Sequence, residues 1–328
     1  MARILLLSTA DALVDLPNYR DYERLINASR KDVFKNHIVT SNANEADIIL
    51  FVGSSEPDFH DVRRHPYVMN FREKCFLFQS GDMIIPFLPG IYASIQKRWY
   101  FKQRMRSGFY LRVFGNQVIQ YCPNISESPY LFSFMGAANN AFIRKCIFNI
   151  KHPRSLLIDT SPSRKNEENL NSSKSRTYRY FDSLRKSKFV LCPKGGGTSS
   201  FRIFETMKAG RVPVIISDQW VAPEGPDWHE FSLRVWEKDI KKMPGLLEKR
   251  EDNAEKMGRL ARQFWEQWFS EKVAFHRIIE WCIDIKSNRI MPESILHWTA
   301  YLQLFRPFHF RYNVLGKIKR TLISQRAR

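Results

Sequence analysis

Short, uninterrupted apolar runs recur along the chain, and they constrain its fold more than any other feature. The runs at residues 3–9, 46–53 and 74–79 are apolar on both faces of an extended strand. Strands of this kind are buried on both sides, which is typical of parallel sheets covered by helices. A helical pattern at 19–30 separates the first two runs, and a shorter fourth strand is predicted at 117–121. The pattern therefore predicts an α/β fold built on a parallel sheet.

A polar segment with proline and serine at residues 123–129 interrupts this pattern. Beyond it, strands are predicted at 130–135, 189–193 and 212–217, and helices at 178–187, 201–209 and 252–269. A chain of 328 residues is long enough for two domains of roughly 150 residues each. We therefore predict a first domain at 1–127, a second at 128–290, and a basic C-terminal extension at 291–328.

The charge of the chain limits the partners that it can have. There are 52 basic and 33 acidic side chains, a net charge of +19, which favours nucleic acid, anionic membranes or nucleotide-containing substrates. Five scattered cysteines without a CxxC pair disfavour a disulfide framework or a zinc site and fit a reducing compartment. The eight histidines show no HExxH spacing, so no metal ligands are predicted. No apolar run approaches the ~18 residues of a membrane span. We expect a cytoplasmic protein, at most peripheral on the inner face of a membrane.

A strand–loop–helix–strand unit within residues 188–218 is the most informative segment. Its loop consists of Lys194, Gly195, Gly196, Gly197, Thr198, Ser199 and Ser200. Glycines permit positive φ and a close approach to a ligand. A serine-capped helix start offers N–H groups and a positive dipole end to a phosphate, and Gly210 suits the C-terminal cap of the helix. The loop matches neither GxxxxGK[ST] nor GxGxxG, so a flexible surface turn is the alternative.

Two charged residues follow this loop on one narrow face of the predicted helix. At ~100° per residue, Arg202 and Glu205 lie together and away from the main apolar face. A glutamate can accept hydrogen bonds from ribose hydroxyls, and an arginine can neutralise phosphate. The structural alternative is an i,i+3 surface ion pair worth a few tenths of a kcal/mol.

Several motifs in order resemble the exostosin family of glycosyltransferases. They are SKFVLCPKG at 187–195, SFRIFE at 200–205, GRVPVIISD at 210–218, DWHEFS at 227–232, YLFSFMGA at 130–137 followed by Arg144, and ADIILFV at 46–52. The resemblance is strong over about residues 128–240, weak before them and absent after about 290.

This resemblance implies a GT-B architecture, in which two Rossmann-like domains face a central cleft. The second domain would bind a nucleotide sugar and the first an acceptor, in an inverting reaction that mostly uses UDP-sugars and needs no metal or other cofactor. No Asp-x-Asp motif occurs in the sequence. The resemblance adds Gly136, Arg144 and Asp218 to the predicted nucleotide-binding residues. Lys194 and Arg202 would stabilise the leaving diphosphate. Unlike animal and plant members, this chain shows no N-terminal membrane anchor.

An inverting transfer needs a base that takes the proton of the acceptor hydroxyl. The base should come from the first domain, near the carboxyl end of a strand. Asp82 follows the strand at 74–79 and Asp11 follows the first strand, so both are candidates. For either residue, a turn or helix cap is the structural alternative.

These observations favour an enzyme that transfers a sugar to a glycan or lipid-linked acceptor in surface polysaccharide synthesis. A fucosyltransferase-like GT-B enzyme with a GDP-sugar is an alternative. A non-enzymatic nucleic-acid-binding protein is another, although no helix-turn-helix, zinc-finger or RNP-type motif supports it. Basic and aromatic residues interleave at 97–114, and the tail at 306–328 is basic and free of acids. Both segments suit an acidic acceptor or peripheral contact with an anionic membrane.

Overall fold

The computed structural model describes residues 1–9, 16–53, 59–82, 84–161, 173–299 and 302. Asp11 and the basic tail at 306–328 lie outside the described residues. The described part contains two parallel sheets with helices around them. The predicted α/β class, with the two sheets that the GT-B resemblance implied, is confirmed.

The strands are β1 (Ala2–Ser8), β2 (His37–Val39), β3 (Ile48–Gly53), β4 (Cys75–Gln79), β5 (Gly90–Tyr92), β6 (Met105–Ser107), β7 (Tyr130–Gly136), β8 (Ser155–Asp159), β9 (Ser187–Pro193), β10 (Val212–Ile216) and β11 (Leu233–Arg234). The helices are α1 (Leu16–Lys31), α2 (Phe59–Arg64), α3 (Pro66–Asn70), α4 (Phe142–Phe148), α5 (Ser173–Arg185), α6 (Phe201–Ala209), α7 (Trp228–Phe231), α8 (Met243–Glu248), α9 (Ala254–Phe264), α10 (Ala274–Ser287) and α11 (Glu293–Thr299).

The first sheet has the strand order β2-β1-β3-β4-β5-β6, and all its pairs are parallel. β3 and β4 are buried along their whole length, as their apolar runs predict. The second sheet has the order β11-β10-β9-β7-β8 and is also parallel throughout. Because all strands of a sheet run the same way, the carboxyl ends form one edge where loops from several strands meet.

Several elements differ from the sequence prediction. Residues 117–121 form no strand, because the chain there connects the two sheets without pairing. The strands β2, β5, β6, β8 and β11 were not predicted, since each carries only a brief apolar run, and the helix α10 was not predicted either. The predicted helix at 252–269 is divided into α9 and a π-helical turn at Trp265–Phe269.

An aromatic core joins the two halves of the protein. Phe109, which follows β6, lies 6.0 Å from Phe204 of α6 and 5.4 Å from Phe269 between ring centroids. Trp281 of α10 packs on the same ring, at 6.5 Å. Helix α10 falls within the predicted second domain, 128–290, yet it packs against α1 and β5 of the first sheet. In the described part of the chain, no helix combines the length and apolar composition that crossing a membrane requires.

Candidate active site

The carboxyl edge of the second sheet carries the predicted glycine loop. β7 and β9 are neighbours, and the sheet continues from them in opposite directions, to β8 and to β10. Open parallel sheets bind ligands at such a switch point, outside the carboxyl ends of the strands. β7 ends at Gly136, β9 ends at Pro193, and the loop at 194–200 continues directly from β9. The loop therefore begins where a ligand site is expected.

The three glycines of this loop matter because they lack side chains. Glycine permits positive φ, but none of the three is among the described glycines that adopt it. A Cβ built on each would meet a neighbour, which is the Arg144 Nη2 atom at 3.0 Å for Gly195, the Asp82 Oδ2 atom at 3.3 Å for Gly196, and the Ser94 Oγ atom at 2.4 Å for Gly197. Glycine is most strictly required at Gly197, because a Cβ there would also lie 2.6 Å from the Asp82 main-chain oxygen.

The polar residues after the glycines bond the loop to the first half. Thr198 Oγ1 donates to the carbonyl oxygens of Ser94 and Ile95, at 3.0 and 3.1 Å. The Ser199 amide donates to Ser94 Oγ at 3.3 Å. Ser200 Oγ accepts a main-chain N–H as the predicted N-cap of α6. The loop is anchored rather than a flexible surface turn, and the first half already occupies one of its N–H donors.

Glu237 connects two of the predicted nucleotide ligands. Its carboxylate lies 2.7 Å from Lys194 Nζ. The Glu237 amide donates to Asp218 Oδ1 at 2.9 Å, and the Asp218 amide donates to Glu237 Oε1 at 3.2 Å. Asp218 thus closes the turn after β10, and Lys194 is paired with a carboxylate that any phosphate would have to displace or share. The roles of both residues toward a nucleotide stay predictions.

Arg144 bridges the two central strands of the switch point. Its Nε atom donates to the Lys194 carbonyl at 3.0 Å, and its Nη1 atom reaches the Ala137 carbonyl at 3.5 Å. The side chain is buried. Burial, and then the nearby positive charge of Arg202, lower the pKa of Arg144 to about 10, while Asp82 opposes the change. A second positive charge close to this guanidinium makes the site favourable for an anion.

Arg202 and Glu205 lie together as predicted, but they are not a surface ion pair. The Arg202 Nη2 atom donates to the Met135 carbonyl at 2.9 Å, next to Gly136, where a Cβ would lie 2.9 Å from the same nitrogen. Glu205 is buried, and its Oε1 atom accepts a hydrogen bond from Asn116 Nδ2 at 2.9 Å. Each side chain therefore bonds to another part of the protein.

Glu205 is a buried carboxylate that interacts with the Tyr180 hydroxyl, and one of its oxygens has no hydrogen bond of normal geometry. Burial raises its pKa, while the hydrogen bond from Asn116 and the charge of Arg202 oppose that rise. The second oxygen, Oε2, is buried without a hydrogen bond of normal geometry, and so is the nearby Tyr180 hydroxyl. A buried oxygen of this kind is costly unless a ligand completes it.

Two cavities adjoin at this edge and share Arg112 and Phe201. The Glu205 cavity has a volume of about 250 Å³ and is also lined by Asn116, Met135, Thr160, Arg176, Thr177, Tyr180, Arg202 and Glu205. The Asp82 cavity has a volume of about 400 Å³ and is also lined by Arg20, Asp21, Arg24, Ser80, Gly81, Asp82 and Tyr110. The Arg112 guanidinium lies 4.4 Å from the centre of the Phe201 ring, between the two cavities. A ligand in one cavity can therefore meet a ligand in the other.

Asp82 lies beyond the carboxyl end of β4 and faces the glycine loop. Its side chain is exposed to solvent in the Asp82 cavity, and its Oδ1 atom accepts a hydrogen bond from the Tyr110 hydroxyl at 3.0 Å. That hydroxyl lies 2.8 Å from Ser94 Oγ, which receives the loop amide of Ser199. A hydrogen-bonded chain thus connects Asp82 to the start of α6. Asp11, the other candidate base, lies outside the described residues.

The sequence analysis did not identify Asn116, Tyr180 and Tyr110 as site residues. Asn116 ends a 3-10 turn before the second sheet, Tyr180 lies on α5, and Tyr110 follows β6. None carries a local motif, and each is far along the chain from the residue it meets. The strong part of the resemblance to exostosins begins only near residue 128, so it gave no signal for Asn116 or Tyr110.

Comparison with known proteins places much of this site in one family. Residues 116–250 match the model of the Exostosin GT47 domain. This segment resembles the exostosin GT47 domain. It contains Asn116, Arg144, Arg202 and Glu205, and it confirms the resemblance that the motifs predict. The Asp82 cavity lies largely in the preceding part of the chain.

The alignments cover only a small part of the curated relatives. The Exostosin-1 homolog of Caenorhabditis elegans is 42% identical over 72 residues, which are 21% of this chain and 19% of that protein. Exostosin-1 of Drosophila melanogaster is 27% identical over 186 residues, 51% of this chain and 24% of that protein. The chain therefore matches a quarter or less of the length of these relatives.

A solved structure of HepE from Anabaena in complex with UDP aligns over 85% of this chain and 99% of its own. The TM-score is 0.40 and the sequence identity is 9%. At this level the likeness carries no inference about the ligand, and the proposals below rest on the GT47 domain and on the geometry of the site.

Proposed function

We propose that the chain is an inverting glycosyltransferase that moves a sugar from a nucleoside diphosphate sugar to a glycan or lipid-linked acceptor. The observation that carries the proposal is the buried Glu205 carboxylate, which lines the Glu205 cavity with an Oε2 atom that has no hydrogen bond of normal geometry. A ribose offers two hydroxyl donors, and a carboxylate accepts both in charge-assisted hydrogen bonds. The nucleoside would therefore occupy the Glu205 cavity.

The diphosphate would lie toward Arg202 and Arg144. The Arg202 Nε atom is buried without a hydrogen bond. The positive charge of Arg202 also lowers the pKa of Arg144. An anion beside both guanidinium groups would relieve this repulsion. Since negative charge grows on the leaving diphosphate in the transition state, fixed cations and the start of α6 would lower the barrier.

The acceptor would occupy the Asp82 cavity, where its hydroxyl can meet the donor sugar past Arg112 and Phe201. The acceptor oxygen forms a bond to the anomeric carbon while the bond from that carbon to the diphosphate oxygen breaks. The hydroxyl proton goes to Asp82, the base on the opposite side from the leaving group. The hydrogen bond from Tyr110 holds this carboxylate in place. Arg24 is paired with Asp21 at 2.6 Å, so Arg20 and Arg112 are the positive charges that would suit an acceptor carrying negative charge.

We further propose UDP as the nucleotide, a role in surface polysaccharide synthesis, and transfer without a metal ion. The support for UDP is the family resemblance. The support for metal-free transfer is the arginine pair, which supplies the positive charge that a cation would otherwise bring. In the described part of the chain, the one cluster with metal-ligand geometry lies at the opposite edge of the first sheet.

A thermal-shift screen against UDP, GDP, ADP and UDP-sugars tests the proposal, followed by an assay of UDP release with glycan acceptors. A ligand at 100 times its Kd adds about 2.7 kcal/mol to the free energy of unfolding, which is several degrees in unfolding temperature. We expect UDP to stabilise the wild type and Glu248→Ala equally, and Glu205→Ala much less. Stabilisation by GDP alone would support the fucosyltransferase-like alternative. Stabilisation by no nucleoside diphosphate would reject the proposal.

A further inference from the structure

A second group of chemically reactive side chains lies far from the glycine loop. His37 begins β2, and His276 and Glu280 lie four residues apart on α10. One potential ligand atom from each residue falls within 4.8 Å of the other two. The His37 Nε2 atom lies 2.9 Å from a Glu280 carboxylate oxygen, and the centres of the two imidazole rings are 5.1 Å apart. Two imidazoles and a carboxylate therefore point into one small volume.

The two imidazoles are buried and poorly satisfied. His37 is 8% exposed and His276 is 7% exposed. Both ring nitrogens of His37 and the Nδ1 atom of His276 are buried without a hydrogen bond. The short approach of Glu280 to His37 is thus a close contact without hydrogen-bond geometry. Buried polar nitrogens normally have partners, so this arrangement calls for a ligand that accepts nitrogen lone pairs.

The surroundings favour a cation over an anion. The Asp32 carboxylate is buried, and its Oδ1 atom makes no hydrogen bond. Its charge acts on His276. The neighbouring Arg277 guanidinium is directed away, over the rings of Phe34 at 5.2 Å and Trp268 at 4.0 Å. The charges of Asp32 and Glu280 favour positive charge at His276, and that of Arg277 opposes them. Lys35 also lines the cavity beside His37.

The cluster is also accessible to an ion from solution. His37 and Glu280 line an open cavity of about 600 Å³. Lys286 lines the same cavity, but its Nζ atom donates to the Asp47 carbonyl at 2.9 Å. The Phe34 ring stacks on His276 at 4.1 Å and covers one face of that imidazole. The arrangement provides an entry path and a fixed ligand.

We propose that His37, His276 and Glu280 bind a Zn²⁺ ion. Two neutral imidazoles and one carboxylate are ligands that zinc accepts, with bonds of about 2.0–2.2 Å, so side-chain movements of roughly 1 Å close the set. The fourth position faces the cavity and takes a water molecule. The ion links β2, at the edge of the first sheet, to α10 from the C-terminal half of the chain.

This zinc site is separate from sugar transfer. His37 pairs with Ala2 at the amino end of β1, whereas Asp82 follows the carboxyl end of β4. The two sites therefore lie at opposite edges of the first sheet. Zinc at this position is expected to raise the unfolding temperature and to leave nucleotide binding unchanged, so its test does not depend on the proposed transferase activity.

Titration of the chelator-treated full chain with Zn²⁺, by calorimetry and thermal shift, tests the proposal. We expect one Zn²⁺ per chain and a rise in unfolding temperature. Glu280→Gln and His37→Gln should weaken binding at least about tenfold, since even residues that only support metal ligands contribute 10- to 100-fold. The matched control is His152→Gln, because His152 has a glutamate neighbour, Glu248, at 3.2 Å. His152 lies outside the three-ligand cluster, so His152→Gln should bind zinc like the wild type.

Two results would overturn the site. One is absence of Zn²⁺ uptake by the wild type, and the other is unchanged affinity in Glu280→Gln. Glu280 has a side chain that is 48% exposed, so this variant should fold even if His37→Gln does not. Its unfolding temperature in EDTA should equal that of the wild type in EDTA, which separates loss of the metal from loss of the fold.

Discussion

Replacing Glu205 by glutamine should weaken nucleotide binding and, at the same time, stabilise the ligand-free protein. Glutamine keeps the carbonyl oxygen that accepts the 2.9 Å hydrogen bond from Asn116. It replaces the Oε2 atom, which has no hydrogen bond of normal geometry, by an amide nitrogen. An amide nitrogen cannot accept a hydrogen bond from a ribose hydroxyl. A hydrogen bond to a charged group contributes about 1.5–3 kcal/mol. At 1.4 kcal/mol per tenfold, the Kd for UDP should rise roughly 10- to 150-fold.

The effect on stability has the opposite sign because the carboxylate is buried. Burial raises the pKa of Glu205 in the folded protein above its ordinary value of 4.5. The wild type therefore gains stability as the pH falls, and loses it as the pH rises through the folded pKa. At pH 7 the neutral glutamine avoids the cost of the buried charge, so Glu205→Gln should unfold at a higher temperature. Below about pH 4.5 the carboxyl is protonated in both states, and the difference should disappear.

Calorimetry with UDP and thermal unfolding at several pH values measure both effects. Glu248→Gln is the control, because that glutamate lies on α8 with its side chain 52% exposed, and it should change neither quantity. Unchanged UDP affinity in Glu205→Gln, together with a lower unfolding temperature at pH 7, would show that Glu205 is structural and would refute the reasoning.

Four further results are expected. Arg202→Lys should lower turnover more than nucleoside affinity in steady-state kinetics, since lysine lacks the planar fork; near-wild-type turnover would contradict its role. Asp82→Asn keeps an oxygen for Tyr110, so donor affinity should persist while transfer falls about 10²–10⁴-fold; transfer within a few-fold of wild type would shift the assignment to Asp11. Transfer should survive excess EDTA at a temperature where the chelated protein stays folded, and loss that Mn²⁺ restores would reject metal-free transfer. Deleting residues 306–328 should reduce salt-sensitive binding to anionic vesicles by ~1 kcal/mol per basic residue near the surface, and equal partitioning would reject that contact.

Much of the fold could be predicted because its information is local. The apolar runs at β3, β4 and β9 mark buried strands wherever they occur in the sequence. Ser200 caps α6, and Gly210 ends it with φ of 72°, a conformation that glycine adopts without strain. The short strands β2, β5 and β6 could not be recognised, since three residues contain no period. They form only because neighbouring strands of the sheet provide hydrogen-bonding partners.

The sequence by itself determined the parallel α/β class, the glycine loop and the shared face of Arg202 and Glu205, because neighbours along a helix or strand have fixed geometry. Only the tertiary structure decided what those side chains meet. Asn116 reaches Glu205 across 89 positions of sequence. His37 meets His276 because α10 returns to the first sheet. Contacts of this kind depend on how whole sheets and helices pack, and packing of complementary surfaces leaves no periodic trace in the chain.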